Sequence, residues 1–104
     1  AIVQRDDLVI TISTSGKSPA LAKKLRKSLE SQFGEEYAIF LKLMGAIRKK
    51  ILSQTHEPEA HKHLFEQLID ADLIVMIQKG KTAEIDALLF EILGEGYNFK
   101  ELMQ

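Results

Sequence analysis

The segment Ser13-Thr14-Ser15-Gly16-Lys17-Ser18-Pro19 gathers hydroxyl side chains, one ammonium and one glycine into a single short stretch. It follows the apolar run Leu8-Val9-Ile10-Thr11-Ile12 and precedes Ala20-Leu21-Ala22, an order that reads as strand, loop and helix. Ser18 supplies an N-cap oxygen, and Pro19 falls at the first helical position, where no N–H is needed. Gly16 permits a sharp backbone turn. Free N–H groups at a helix start, with hydroxyls and Lys17 beside them, favour an anion. Ser13, Thr14, Gly16, Lys17 and Ser18 are therefore the candidate binding residues, for a phosphate or a carboxylate. The plainer role for Ser18 is a helix cap, worth about 1 kcal/mol.

Other chemistries fit less well. Gly16-Lys17-Ser18 resembles the end of a nucleotide phosphate loop, but that loop needs a glycine where Thr11 stands, and Pro19 follows the serine. The phosphate loop is excluded. Residues 13–18 also match the Ser-x-Ser-Gly-x-Ser/Thr pattern of sugar-phosphate isomerase and binding domains. Those are α/β layers needing several parallel strands, and beyond Ser18 the chain offers at most one more, Leu73 to Ile77. A sugar-phosphate module is the second reading, and a purely structural dimerisation domain the third. His61 and His63 sit two apart on a predicted helix, about 200° round its axis, so they cannot share a metal from one face. With His56 they read as surface histidines. No Gly-x-Ser-x-Gly elbow is present for a serine hydrolase.

Composition narrows the class. The chain has 104 residues, 45% hydrophobic and 28% charged, as in ordinary globular proteins. Without cysteine there is no disulfide framework, thiolate metal site or thiol nucleophile, which accords with a cytoplasmic protein. No apolar run approaches the roughly 18 residues of a membrane span, and no membrane partner is expected. Net charge is −1. Its distribution is uneven: residues 1–52 carry ten Lys/Arg against five acids, and residues 53–104 four Lys against ten acids. The basic half suits an anionic ligand, or simply solvated helix faces. No aromatic is interleaved with its cations, so nucleic acid is not expected as a partner.

The elements that must position the loop follow from periodicity. Ala1 to Val3 and Leu8 to Ser13 are expected strands, joined through the polar turn Gln4-Arg5-Asp6-Asp7. A first helix from Ser18 to about Phe33 carries Leu21, Ala22, Leu25 and Leu29 on one face and Lys23, Lys24 and Lys27 on another, with Gly34 as C-cap. A second, to about Ser53, buries Tyr37, Phe40, Leu41, Met44, Ile47 and Ile51, with Arg48, Lys49 and Lys50 in its last turns. A third, from about Pro58, buries Leu64, Phe65, Leu68 and Ile69. Residues 71–79 form a short helix stopped by Gly80, and Thr82 caps a last helix ending at Gly94. The predicted fold is mainly α with a small β-hairpin. Residues 1–33 form a hairpin and basic helix around the candidate binding loop, and residues 34–104 a small helical bundle.

The run DLVITISTSGKSPALAKKLRKSLE, with EEYAIFLKLMGAIRKKI behind it, resembles the precorrin-2 dehydrogenase family, including the dehydrogenase module of sirohaem synthase. The shared pattern is a strand, a Ser/Thr/Gly loop, then Ser-Pro-x-Leu-Ala and a basic helix ending in Leu-Glu. Ser15 and Lys17 depart from the family's Gly-Gly-Thr version of the loop. The resemblance covers essentially this whole chain but only the C-terminal part of the family's protein. It implies NAD-dependent dehydrogenation of precorrin-2 to sirohydrochlorin, with ferrous iron as a further substrate in members that also chelate. It places Ser18, with Ser13, Thr14, Gly16 and Lys17, at the tetrapyrrole site, and it implies a homodimer joined through the hairpin and first helix. The family's Gly-rich NAD fingerprint and essential aspartate have no counterpart here. A truncated chain, catalytically inactive alone and unable to bind NAD, is therefore expected.

Overall fold

Alternation in the first eleven residues builds an antiparallel hairpin, β1 (Ile2–Arg5) with β2 (Leu8–Thr11), in the register Ile2 to Thr11 and Arg5 to Leu8. The computed structural model describes residues 1–104. Its strands are shifted from the expected bounds because the turn needs only Asp6 and Asp7. Asp6 adopts φ +51°, which a short polar side chain tolerates, so Gln4 and Arg5 remain in the ladder. Val3 is buried on one face of the hairpin, while Ile2 and Val9 are exposed on the other.

Six helices follow: α1 (Pro19–Gln32), α2 (Glu36–Gln54), α3 (Pro58–Asp70), α4 (Leu73–Gln78), α5 (Thr82–Leu93) and α6 (Phe99–Leu102). The architecture is mainly α with a two-stranded hairpin, as the patterning predicts. The antiparallel pair is the sole sheet, so the parallel layer required by a sugar-phosphate isomerase fold is absent. The short α6 has no counterpart among the expected helices; Asn98 caps it by accepting from the Glu101 N–H. No helix is long and apolar enough to cross a membrane.

The core lies among α2 to α5 and the tail, with Leu43, Ile47, Leu68, Leu73, Ile85 and Leu89 at its centre. No residue of the hairpin or α1 belongs to it. The radius of gyration is 16.6 Å, against about 13 Å for a compact domain of this length, so the molecule is elongated.

Several local expectations are corrected. Phe33, not Gly34, is the C-cap of α1, and the Gly34 N–H donates to Glu36 Oε1 at 3.3 Å. Thr82 is the first residue of α5 rather than its cap, which is Lys81. Ile69 is exposed, since α3 turns His61, Phe65 and Leu68 inward instead. Because α2 runs on to Gln54, its last turn holds no basic residue, and Arg48 and Lys50 make other contacts: Arg48 lies 4.2 Å from the Phe65 ring centroid, and Lys50 donates to Gly96 O and lies over Tyr97. Gly80 does stop α4: at φ +68° it donates to Ile77 O while Lys81 donates to Met76 O, the paired bonds of a Schellman ending.

Candidate functional site

The loop between β2 and α1 is ordered by its own hydroxyls. Ser13 Oγ accepts from the Ser15 N–H at 3.2 Å, and Thr14 Oγ1 accepts from the Ser18 N–H at 3.1 Å. Ser18 Oγ accepts from the Leu21 N–H at 3.2 Å, the N-cap bond expected from Ser-Pro. Thr14 O accepts from the Lys17 N–H at 3.1 Å across Ser15 and Gly16, whose φ values are +55° and +75°. Two consecutive left-handed residues inside such a bond make a turn of the I′ class. A Cβ at Gly16 would meet open space, so glycine is favoured there by its φ alone.

This geometry has a chemical consequence. Each of the three hydroxyl oxygens accepts from backbone, which leaves its O–H proton available as a donor. The Gly16 and Ala20 N–H groups have no partner within the chain. Lys17 is exposed beside them, and Thr14 and Ser18 are half-buried. Donors with one ammonium among them suit a carboxylate or phosphate oxygen. The structure thus brings Ser13, Thr14, Gly16, Lys17 and Ser18 into one loop, as their contiguity requires. None of them lines a cavity.

Arg5 fixes the hairpin against α1. Its Nε donates to Phe33 O at 2.7 Å and its Nη2 to Glu30 O at 3.2 Å, so one guanidinium satisfies carbonyls at the end of the helix. The loop is held at one end of α1 and Arg5 at the other.

The deeper concavities lie elsewhere. A hollow of about 380 Å³ between α2 and α3 is lined by Arg48, Leu52, His56, His61 and Phe65, among others. A second of about 450 Å³ adjoins it through Arg48, Phe65 and Ile69, and reaches Asp7 at the hairpin turn. The pattern held a signal for this groove, because Arg48 interrupts the apolar row Met44, Arg48, Leu52 on α2. His61 is not the surface residue expected: it is 7% exposed, with Nε2 hydrogen-bonded to Thr55 Oγ1 at 2.8 Å. Tyr97, buried and donating to Gln54 Oε1, has its phenol pushed above the ordinary value by burial.

The chain is similar to proteins of one kind. A family model described as the central part of a sirohaem biosynthesis protein matches residues 5–32, from Arg5 to the last residue of α1. Siroheme synthase from Hydrogenovibrio crunogenus is 32% identical over 86% of this chain and 19% of its own length. The siroheme synthase of Methylococcus capsulatus is 25% identical over 88% of the chain and 19% of its length, and that of Pseudomonas paraeruginosa 28% over 92% and 21%. The chain spans about a fifth of the length of these relatives. No solved structure matches it. With the central model running from the last residue of β1 through β2, the loop and α1, and similarity continuing through the helical half, the chain fits a sirohaem synthase module.

Proposed function

We propose that this chain is part of a sirohaem-forming enzyme that oxidises precorrin-2 to sirohydrochlorin, with ferrous iron as a second substrate if the enzyme also chelates. Residues 1–33 supply one wall of the tetrapyrrole site and the dimer contact, and residues 34–104 the helical support. The observation that carries this reading is that the family match runs from the hairpin turn through β2 to the end of α1, around a loop built to present donors. Precorrin-2 bears peripheral carboxylates, the groups that free O–H and N–H donors beside Lys17 would hold.

The residues present do not fit NAD. A dinucleotide site needs a parallel strand, a Gly-rich turn and a helix whose N-terminal N–H groups face the pyrophosphate. Here the sheet is a lone antiparallel pair, and Pro19 removes one of the N–H groups at the start of α1. In this reading NAD and the catalytic acid belong to another part of the enzyme, and the chain alone does no chemistry. Homodimerisation is supported by the hairpin, whose edges are unpaired and whose outer face exposes Ile2 and Val9.

Chemical-shift mapping of the isolated chain tests the reading. Sirohydrochlorin should perturb the amides of residues 13–18 and the start of α1, and NAD should perturb none. Saturable shifts with NAD, or sirohydrochlorin shifts that avoid the loop, would overturn it.

A further inference from the structure

α1 is the most exposed of the long helices of this chain. It buries no residue, and Leu21 and Leu25 are 48% and 42% exposed. Lys23, Lys24 and Lys27 stand with Ala20 around a shallow depression of about 310 Å³ on this helix, starting two residues beyond Ser18. None of the three ammonium groups has a carboxylate within 4.0 Å; the one ion pair on α1 joins Arg26 to Glu30, at 2.8 Å. Spaced three and four residues apart, such side chains have Cβ atoms about 5–6 Å from one another, and like charges at that distance destabilise a helix. The first turn of α1 holds no acid to offset the positive end of its dipole. A cluster of unneutralised ammonium groups on one exposed helix face attracts an anionic ligand.

We infer that Lys23, Lys24 and Lys27 form a carboxylate-reading strip, continuing the loop along α1, for a rigid small molecule that carries several carboxylates. This rests on the tetrapyrrole reading of the loop and names the feature of that ligand class which the helix selects: the number of its carboxylates. Ala20 contributes to the fit, because its methyl group leaves the space between the lysine stems open. A flexible or singly charged acid engages one ammonium at a time, whereas a rigid polycarboxylate engages several without further ordering cost.

The test is a fluorescence titration of the whole chain with two porphyrins, uroporphyrin (an octacarboxylate) and coproporphyrin (a tetracarboxylate). Uroporphyrin should bind more tightly. Replacing Lys23, Lys24 and Lys27 together with glutamine should weaken uroporphyrin binding on the order of 10- to 100-fold, about 2- to 5-fold for each exposed ion pair. The same change should bring the two porphyrins to nearly equal affinity and raise the melting temperature, since the repulsion is relieved. Replacing Lys42, Lys49 and Lys100, all exposed and carried on α2 and α6, should leave the preference for uroporphyrin intact. The single variant Lys24→Gln repeats the comparison if the triple variant does not fold. Equal loss with the distant lysines would reduce the effect to net charge and overturn the strip. Unchanged binding by the α1 variants, with loss on Lys17→Gln, would also overturn the strip while leaving the loop reading standing. If the unmodified chain binds neither porphyrin, both fall.

Discussion

Arg5→Ala separates the hairpin from the end of α1 energetically, and the size of the effect follows from the contacts of Arg5. The guanidinium donates to three carbonyls, Phe33 O, Glu30 O and Gln4 O. The last is exposed and adjacent in sequence, so it adds little. The two bonds to the end of α1 are part-buried, and Nε to Phe33 O is short at 2.7 Å. Bonds from a charged donor contribute about 1.5–3 kcal/mol each when buried; partial exposure brings these nearer 1 kcal/mol each, for roughly 2 kcal/mol in all. The hairpin and α1 lie outside the main core, so the loss should appear as local opening. Native-state hydrogen exchange reads it directly. Hairpin amides, including Ile12 N–H bonded to Ala1 O, should exchange roughly 30-fold faster, with amides of Leu43, Ile47 and Leu68 unchanged. Arg5→Lys keeps the charge but lacks the planar fork that bridges two carbonyls, and should recover about half of the protection. Equal acceleration throughout the chain would show one cooperative unit and refute the separation. Unchanged hairpin exchange would refute the staple.

Other consequences are as direct. Leu43 is fully buried at the centre of the bundle, and Leu43→Ala should cost about 2.5–5 kcal/mol in urea denaturation, with little change in hairpin protection against the remaining stability. Thr55→Val removes the partner of the buried His61 Nε2 and should cost about 1–2 kcal/mol by the same measurement, more than the conservative Thr55→Ser. The raised pKa of Tyr97 means the folded state holds the phenolic proton more tightly than the unfolded chain does. Its contribution is complete below the ordinary value of 10.0 and is lost as pH rises past it, so melting temperature should fall at alkaline pH, less steeply in Tyr97→Phe.

Much of this was legible in the residues. Ser18-Pro19 announced the start of α1, and the 3.6-residue rows in α2 and α3 gave their extents, because capping and amphipathic periodicity are local properties. Leu73 to Ile77 reads equally as strand or helix in composition; the acids before it and Gly80 after it decided for a helix, which the Schellman bonds explain. The remaining features depend on tertiary partners. Arg5 looked like a turn residue, and its role depends on Phe33, distant in sequence. His61 looked like a surface histidine until Thr55, in the linker after α2, proved to be its partner. Arg48 and Lys50 suited a helix dipole, yet each is claimed by an aromatic ring from another element. In the candidate site the contiguous residues were found together. What contiguity could not supply was the bonding order, in which Thr14 holds the Ser18 N–H and leaves the hydroxyl protons free to donate.

In the proposed function this loop touches the tetrapyrrole. Its sharpest test is precorrin-2 turnover by the complete gene product carrying Ser18→Ala, measured beside its melting temperature. Loss of the cap alone costs about 1 kcal/mol of stability, a shift of a few degrees that leaves turnover at lower temperature intact. A loop that contacts the ligand makes kcat/KM fall well beyond that, at a temperature where the variant is fully folded, with little recovery in Ser18→Asp, which restores a cap but adds a negative charge. A melting temperature lowered by those few degrees with unchanged kcat/KM would contradict it and leave Ser18 as a helix cap alone.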